Sequence, residues 1–411
     1  MRRIPCIPVL CSLSLAALAW CLPAAAQLKI AYIDPLSGGA ASAGINAQKH
    51  FIYMIDRANA AGGFNGEKLE LISFDNKVDP QESLIALKKA LDEGARYIFQ
   101  GNGSGVALAI TDAVLKYNER NPGKEVLYFN YAAVDPALTN EKCNFWHFRF
   151  DADADMKMGA LTDAIAKDPR IKAVYLINQD YSFGRAVAAA AKKMLAEKRP
   201  DIKIVGDELH PLQKVQDFSP YVAKIKASGA DTVITGNWSN DMLLLIKAGK
   251  DAGLKVNWYT YYGGALGAPS AIGKDGVGVV KQISEYHSNA LPEPDPDAVA
   301  FRKRFTGKDD EFGYYRLKTT FDMFAAAAAK AKSNDPVKVA KALEGIKVMT
   351  TVGEAEMRAD NHQILMPMFV STLSDSVKYD VEKSGVGFKT DVKINGKDMA
   401  LPTTCKMQRP S

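Results

Sequence analysis

The chain has 411 residues, of which 47% are hydrophobic, 24% are charged and 9% are aromatic. These proportions are those of a globular protein, and they exclude a collagen-like, low-complexity or largely disordered chain. The formal charge of +5 is small for this length, and no basic cluster is interleaved with aromatic residues, so we expect no binding to nucleic acid. The five histidines are scattered without the spacing of metal ligands, and we expect no metal site.

The N-terminal segment, residues 1–26, has the pattern of a secretory signal peptide. A basic start precedes an almost wholly apolar run over residues 7–22, and small residues end the segment at Ala26. We predict cleavage after this residue and export to an oxidising compartment. A transmembrane anchor is one alternative, although it needs about 20 apolar residues. Lipid attachment at Cys21 is another, although the bulky Trp20 stands where a small residue is preferred.

From residue 28 onward, short apolar runs alternate with amphipathic segments. The predicted strands are Leu28–Ile33, Leu69–Phe74, Tyr97–Gln100, Val126–Asn130, Ala173–Asn178, Lys203–Glu208, Thr232–Gly236 and Asn257–Tyr262. The predicted helices between them are Gly44–Ala60, Pro80–Glu93, Val106–Arg120, Asp155–Lys167, Tyr181–Glu197, Asp217–Ser228 and Asn240–Ala252. This alternation is typical of right-handed βαβ units, which build parallel sheets with helices on both faces.

The order of strand, polar loop and helix repeats, so we predict an α/β protein with two doubly wound lobes that change near residues 147–153. After residue 262 the pattern loosens, and residues 263–278 have the composition of a loop. Three further helices are predicted at Pro296–Phe305, Arg316–Ala331 and Val337–Gly345. This last part either returns to complete both lobes or forms a third domain.

Cleavage of the signal peptide would leave Cys143 and Cys405 as the two cysteines of the mature chain. An even pair in an oxidising compartment is typical of a disulfide rather than of a catalytic thiol. We predict a bridge that ties the C-terminal tail, residues 401–411, to the middle of the chain.

The glycine-rich segment Gly101–Gly105 follows a predicted strand and opens a helix. A dinucleotide fingerprint would need glycine at the position of Val106, and the chain contains no P-loop, G-x-S-x-G, H-E-x-x-H or C-x-x-C motif. We therefore predict neither an enzyme nor a cofactor. A helix N-terminus with free N–H groups and the Ser104 hydroxyl suits a small anion such as a carboxylate.

A second loop, residues 131–136, follows the next strand. If the two loops are neighbours, their amides converge at the crevice where open α/β sheets bind ligands, whereas a plain Asp135-Pro136 turn is the alternative. Aromatic residues follow three strand ends in the second half of the chain, and we predict that they form one pocket. These residues are Tyr181, Phe183, Trp238, Tyr259, Tyr261 and Tyr262.

At these loops the chain resembles the leucine/isoleucine/valine-binding family, the periplasmic substrate-binding proteins of branched-chain amino-acid-type ABC importers. The resemblance extends over about residues 28–399. Its two specific markers are Asn-Ala-Ala-Gly-Gly-Phe-Asn-Gly at 59–66 and Ala-Ala-Val-Asp-Pro-Ala-Leu-Thr at 132–139, supported by Asp-Pro-Leu-Ser-Gly at 34–38. It implies a type I periplasmic binding protein fold, in which two lobes joined by a three-segment hinge close on a ligand.

The resemblance also implies lobe boundaries and partners. Lobe one would comprise residues 28–148 and 283–352, and lobe two residues 149–282 and 353–400. The protein would act as a monomer that binds a small-molecule carboxylate and docks on an ABC transporter permease in the inner membrane.

Position by position, the resemblance implies that Ser104 holds a ligand carboxylate through its hydroxyl, aided by helix-terminal amides. The second loop would offer the carbonyl of Ala132 and the N–H of Val134. The full set of expected ligand-binding residues is Ser37, Ser104, Gly105, Ala132, Ala133, Val134, Asp155, Tyr181, Phe183, Trp238, Tyr261, Tyr262 and Arg316. For Arg316, pairing with a ligand carboxylate and a surface position on its helix are both open.

Two departures from the family pattern bear on the ligand. Amino-acid binders have a threonine in place of Val134, and they have a glutamate for the ligand ammonium where this chain reads Tyr261-Tyr262-Gly263-Gly264. An ammonium buried without a counter-charge is costly. We therefore expect a carboxylate with an aromatic or other apolar body, as in an aromatic-acid-binding branch of the family. A branched-chain or other amino acid is the alternative, for which Asp155 or Asp180 would supply the anion. Two other functions stay open: a secreted α/β enzyme, which would need a nucleophile or base that the motifs do not provide, and a sensory ligand-binding subunit.

Overall fold

The computed structural model describes residues 27–265, 267–307 and 311–410, and the predicted signal peptide lies outside these ranges. Within them the strands are β1 Leu28–Asp34, β2 Leu69–Asp75, β3 Tyr97–Gln100, β4 Leu127–Asn130, β5 His147–Arg149, β6 Ala173–Gln179, β7 Lys203–His210, β8 Thr232–Thr235, β9 Asn257–Thr260, β10 Val280–Ser284, β11 Lys347–Thr350, β12 Gly353–Met357, β13 Ile364–Leu365, β14 Met368–Ser374 and β15 Gly387–Ile394.

The α-helices of the described residues alternate with these strands in the first 260 residues and then cluster between β10 and β11. They are α1 Ala41–Ala60, α2 Pro80–Asp92, α3 Ser104–Arg120, α4 Ala154–Ala166, α5 Ser182–Lys198, α6 Ser219–Ala227, α7 Asn240–Asp251, α8 Ala268–Ile272, α9 Pro296–Arg304, α10 Tyr315–Ala331 and α11 Pro336–Leu343.

The first sheet has five parallel strands in the order β2-β1-β3-β4-β5. Apart from the edge strand β2, which is only partly buried, its strands are almost wholly buried, as expected for a sheet covered on both faces. Helix α10 packs on this sheet although it lies about 200 residues later in the chain: Phe321 stacks 5.8 Å from Phe99, and Phe324 meets Phe129 edge to face at 5.2 Å. The late helices therefore complete the core that the first strands begin.

The second sheet has seven strands in the order β15-β14-β10-β9-β8-β6-β7. The strands from β7 to β10 are parallel, whereas β14 pairs antiparallel with both β10 and β15. The two C-terminal strands thus extend the sheet that the middle of the chain forms. A third, antiparallel sheet contains β11, β12 and β13.

The chain passes between the two large sheets three times. It leaves the first sheet after β5, leaves the second after β10, and returns to the second at β14. A bridge between Arg149 and Gln363 joins the first and third passages. This topology confirms the predicted α/β fold with two parallel-sheet lobes. The exact lobe boundaries stay a prediction.

Every strand and helix predicted from the sequence is present, with ends shifted by at most a few residues. The prediction of a continuous loop over residues 263–278 is wrong in part, because helix α8 forms there with a proline in its first turn, a position that proline favours. Strand β10 was also not predicted, although its Val280–Ser284 run is nearly buried.

Cys143 and Cys405 form a disulfide with a Cα–Cα distance of 5.7 Å, which confirms the predicted bridge. The tail around it makes further contacts: Thr403 Oγ1 donates to the Thr139 carbonyl at 3.1 Å, and Arg409 Nε lies 2.8 Å from Glu344 Oε1. No helix among the described residues has both the length and the apolar character that crossing a membrane requires.

Candidate functional site

A cavity lies between the two large sheets, at the carboxyl ends of their parallel strands. It encloses about 1000 Å³ of empty space, including its opening to solvent. Ten of the thirteen expected ligand-binding residues line it: Ser104, Ala132, Ala133, Val134, Tyr181, Phe183, Trp238, Tyr261, Tyr262 and Arg316. Parallel sheets bring such strand ends together, which is why open α/β folds bind ligands there.

The other three expected residues do not line this cavity. Ser37 is exposed and donates its hydroxyl to Asp75 at 2.5 Å. Gly105 lies in the first turn of α3 beside Ser104, and Asp155 lies in the first turn of α4. Burial, and then the neighbouring Asp153, raise the pKa of Asp155 to about 6.

Ser104 begins helix α3 at the floor of the cavity, and it is buried. The preceding Gly103 has a φ of +100°, a conformation that favours glycine, and a Cβ there would lie 2.8 Å from Val78. Gly103 has no side chain to cap the helix, so the N–H groups of the first turn remain free of a side-chain cap. The Ser104 hydroxyl accepts the Asp135 N–H at 3.3 Å, which joins the two loops.

The side chain of Asn130, at the end of β4, shapes the second loop. Its Oδ1 accepts the N–H groups of Ala132 at 3.2 Å and Ala133 at 2.8 Å, and its Nδ2 donates to the Ala133 carbonyl at 2.8 Å. No described residue accepts the N–H of Val134, whose carbonyl is bound by the Ala154 N–H at 2.9 Å. This loop therefore presents one free amide to the cavity beside Ser104.

Asp34, at the end of β1, supports the first loop from below. It is fully buried and accepts the N–H groups of Gly101 at 3.0 Å and Asn102 at 2.9 Å, together with the Tyr131 hydroxyl at 2.6 Å. Burial raises the pKa of Asp34 to about 7, against the lowering effect of these hydrogen bonds. Its role was not predicted from the sequence, where the one available indication was an acidic residue ending a buried strand.

We expect replacement of Asp34 by asparagine to remove a pH dependence of stability. Because the pKa of Asp34 is raised on folding, the folded chain binds more protons than the unfolded chain between about pH 4 and pH 7. Stability that Asp34 contributes at low pH should therefore be lost as the pH rises through about 7. Urea unfolding at pH 5 and pH 8 should show a larger loss for the native chain than for Asp34→Asn, and equal losses would contradict this role.

Aromatic rings form the wall opposite the two loops. Trp238 Nε1 donates to the Tyr181 hydroxyl at 2.8 Å, and Phe183 meets Tyr261 edge to face at 5.6 Å. The Tyr261 hydroxyl donates to the Ala154 carbonyl at 2.7 Å, so its ring is held in place. Burial raises the pKa of both Tyr181 and Tyr261 well above their ordinary values, so both hydroxyls are neutral. Tyr259 instead lies within β9 and outside the cavity lining.

Charged side chains in and beneath the cavity are paired with one another. Arg316 forms a close ion pair with Glu285, and its Nε lies 3.5 Å from Asp151. Lys157 lies 2.9 Å from the same Asp151 carboxylate. All four side chains are at most 6% exposed. The surface alternative for Arg316 is therefore wrong, and its charge is already neutralised within the protein.

The two lobes also touch at the rim of the cavity. The hydroxyl oxygens of Ser42, after β1, and Ser239, before α7, are 3.1 Å apart, and Ser239 also donates to the Gly39 carbonyl at 3.4 Å. A Cβ on Gly39 would lie 2.9 Å from the Gln213 carbonyl. These contacts close one side of the space between the lobes.

Among the described residues, no cluster of three or more His, Cys, Asp or Glu side chains is arranged for a metal ion.

Several lining residues were not predicted from the sequence. They include Lys157, Glu285, His287 and Glu311. Glu285 and His287 follow β10, so the unpredicted strand is the reason that they were missed.

Comparison with known proteins agrees with this architecture. The sequence profile of a family described as periplasmic binding protein matches residues 27–378. A Leu/Ile/Val-binding protein homolog 4 from Brucella melitensis biotype 1 is 38% identical over 405 residues, covering 94% of each chain.

Two solved structures give the same result. The closed conformation of a leucine-, isoleucine-, valine-, threonine- and alanine-binding protein from Brucella ovis superposes with a TM-score of 0.82 at 34% identity, covering 94% of this chain and 100% of that one. A solute-binding protein from R. palustris in complex with 4-hydroxybenzoate superposes with a TM-score of 0.76 at 19% identity, covering 91% and 98%. The second likeness concerns the fold alone.

Proposed function

Because the chain belongs to the periplasmic binding protein family, we propose that it binds a small organic carboxylate with an aromatic or other apolar body and delivers it to an ABC importer by hinged closure. The family match and the relatives show that the chain is a periplasmic solute-binding protein of the ABC transporter class. The resemblance inferred from the sequence is thereby confirmed. The solute, the residues that bind it and the closing motion belong to the proposal.

One observation supports the proposal most strongly: backbone N–H groups of the two loops and a group of aromatic side chains face the same cavity. The Ser104 hydroxyl, the first turn of α3 and the free N–H of Val134 offer hydrogen-bond donors to an anion. Phe183, Trp238 and the neighbouring tyrosines supply flat apolar surface for the rest of the ligand. A carboxylate attached to a ring matches both parts.

The paired charges argue against an α-amino acid. Glu285 is occupied by Arg316, and Asp151 by Lys157 and Arg316, so neither carboxylate is free to accept a ligand ammonium. Asp155 does not line the cavity, and Asp180 is exposed and paired with Arg185 at 2.7 Å. An ammonium bound beside Ser104 would therefore lack a counter-charge, which is costly in a buried site.

A branched-chain amino acid is the second candidate, and the names of the relatives favour it. The Brucella proteins are described as Leu/Ile/Val-binding or as binding leucine, isoleucine, valine, threonine and alanine. For such a ligand, backbone carbonyls of the second loop would have to hold the ammonium. Affinity for leucine separates the two candidates directly.

Titration calorimetry of the exported protein with benzoate, 3-phenylpropanoate, leucine and valine tests the proposal. We expect saturable binding of the aromatic acids and at least tenfold weaker binding of the amino acids. A thermal shift with each ligand gives an independent measure, since a ligand stabilises the state that it binds. Tight binding of leucine or valine alone would replace the first candidate by the second, and binding of none of the four would contradict both.

Replacement of Ser104 by alanine should weaken binding of the carboxylate by about 1–3 kcal/mol, or roughly 5- to 150-fold. The hydroxyl contributes a hydrogen bond to a charged group, and its loss leaves the anion one donor short. Calorimetry with the preferred acid measures the effect, and Ser376→Ala, at an exposed serine, is the matched control. Equal affinity of the Ser104 variant and the native chain would remove this loop from the binding site.

The predicted lobes, residues 28–148 with 283–352 and residues 149–282 with 353–400, belong to the same proposal. The three chain passages between the sheets would act as the hinge, and the contacts of Ser42 and Gly39 with Ser239 and Gln213 would form on closing. The closed, ligand-bound form would dock on the permease as a monomer. Small-angle scattering with and without ligand tests the closure, which should reduce the radius of gyration.

A further inference from the structure

The cavity has a second end, away from Ser104. Tyr181 follows β6 and directly precedes helix α5, which lies beside helix α3, the helix that begins at Ser104. Ser284 ends β10, and β8 and β9 lie between β6 and β10 in the sheet. Three strand spacings amount to about 14 Å. The cavity therefore continues across the sheet well beyond the place where a carboxylate would bind.

Two buried polar atoms at this second end have no hydrogen-bond partner among the described residues. They are Nδ1 of His287 and Oγ of Ser284, and both residues line the cavity. His287 is 7% exposed, and its other ring nitrogen, Nε2, lies 2.9 Å from the hydroxyls of both Thr390 and Ser371. These two hydroxyls hold the ring in place. A buried polar atom without a partner is destabilising, so such atoms indicate a place for a polar group of a ligand.

None of the described residues that line this end carries an unpaired charge at neutral pH. Burial lowers the pKa of His287 to about 4, so the ring is neutral. Burial, and then Glu382, raise the pKa of Glu311 to about 8, so that carboxyl is mostly protonated. Glu285 is paired with Arg316, and burial raises the pKa of Tyr286 to about 12. A second carboxylate or an ammonium on the ligand would find no free partner here, whereas an uncharged polar group would.

The space continues past these residues. His287 and Glu311 also line an adjoining cavity with about 320 Å³ of empty space, which is bounded on its far side by residues of β15 and the preceding loop. A group that reaches His287 therefore has room beside it.

We infer that the ligand carries an uncharged hydrogen-bonding group, a hydroxyl or a carboxamide, at the end away from its carboxylate, and that Ser284 and His287 bind this group. Both groups donate and accept hydrogen bonds, so either suits a neutral imidazole nitrogen and a serine hydroxyl. A site built to bond such a group rejects the analogue that lacks it, because its buried polar atoms are then left unpaired. The inference rests on the proposed function, since it takes the carboxylate to bind at Ser104.

The test compares two acids that differ by one hydroxyl, 3-phenylpropanoate and 3-(4-hydroxyphenyl)propanoate, by calorimetry on the full exported chain. We expect the native protein to bind the hydroxylated acid at least tenfold more tightly. Ser284→Ala and His287→Phe should each reduce this ratio by at least threefold. Ser376→Ala, at an exposed serine, should leave the ratio unchanged.

The outcomes separate this inference from the proposed function. If both acids bind with equal affinity and Ser104→Ala weakens both, the proposed function stands and the inference is wrong. A hydroxyl preference that survives in both Ser284→Ala and His287→Phe also contradicts it, because other residues must then read the hydroxyl. If neither acid binds the native chain, both are overturned. Thermal melting of each variant identifies a misfolded one, and the conclusion then rests on the other variant.

Discussion

Replacing Arg316 by methionine is expected to lower the free energy of unfolding by about 3–5 kcal/mol. The guanidinium is the partner of Glu285, whose side chain is 4% exposed, and it also lies 3.5 Å from Asp151. Without it, the nearly buried Glu285 carboxylate would lose its counter-charge. Asp151 would keep Lys157 at 2.9 Å, so most of the loss should come from Glu285. Urea unfolding followed by circular dichroism measures the change.

The double variant Arg316→Met/Glu285→Met distinguishes this cause from lost packing. It removes both charges and keeps similar volumes, so we expect it to recover most of the lost stability. Lys88→Met is the control, because Lys88 forms an ion pair with Asp92 on the exposed surface of α2 and such pairs contribute at most about 1 kcal/mol. A single variant as stable as this control, or a double variant no better than the single, would contradict the expectation.

The same double variant tests whether Arg316 binds the ligand or only pairs with Glu285. If Arg316 serves the protein's own charge balance, the double variant should bind the preferred acid within a few-fold of the native affinity. If Arg316 instead held the ligand carboxylate, binding would fall by far more than for Ser104→Ala. The ion pair with Glu285 is the reason to expect the first result.

Removing the disulfide is expected to lower the free energy of unfolding by about 2–5 kcal/mol. The bridge joins residues 262 positions apart, so it excludes many extended conformations of the unfolded chain. Denaturant unfolding with and without a reductant measures the effect. A variant with serine at both Cys143 and Cys405 is the control, because the reductant should not change its stability. Free thiols in the native exported protein would contradict the bridge.

Ligand affinity should change little when the bridge is reduced. The disulfide and the tail do not line the cavity, and the tail stays attached through Thr403 and Arg409. A loss of binding that accompanies a small loss of stability would instead show that the tail positions the lobes.

Local patterns account for what could be predicted about the fold. Segments such as Leu28–Asp34 and Ala41–Ala60 carry the apolar period of their own element, and parallel strands of a doubly wound sheet recur with their helices. The antiparallel pair β14 and β15 carries a weaker pattern, and its place beside β10 depends on a partner about 90 residues away. The sequence therefore left open whether this part completes the lobes or stands alone.

The site divides in the same way. The Ser104 loop and the rings after β6, β8 and β9 follow predictable strand ends, and topology brings such ends together. No comparable sequence pattern indicates the roles of Asp34 and Glu285, because a single acidic residue at the end of a strand is compatible with many structural roles. Their roles depend on Asn102 and Arg316, which lie far away in the sequence.

By itself, the sequence determined the α/β alternation, the amide-rich turn at Ser104, the aromatic strand ends and the pairing of two cysteines, because each depends on neighbouring residues or on a simple count. Only the tertiary structure decided which charges are free. Whether Arg316 meets a ligand or Glu285, and whether His287 Nδ1 has a partner, depends on how separate segments of the chain pack around the cavity. Each pairing affects stability because these groups are buried. A charge or polar atom removed from water is costly unless a neighbouring group in the fold forms a hydrogen bond or ion pair with it.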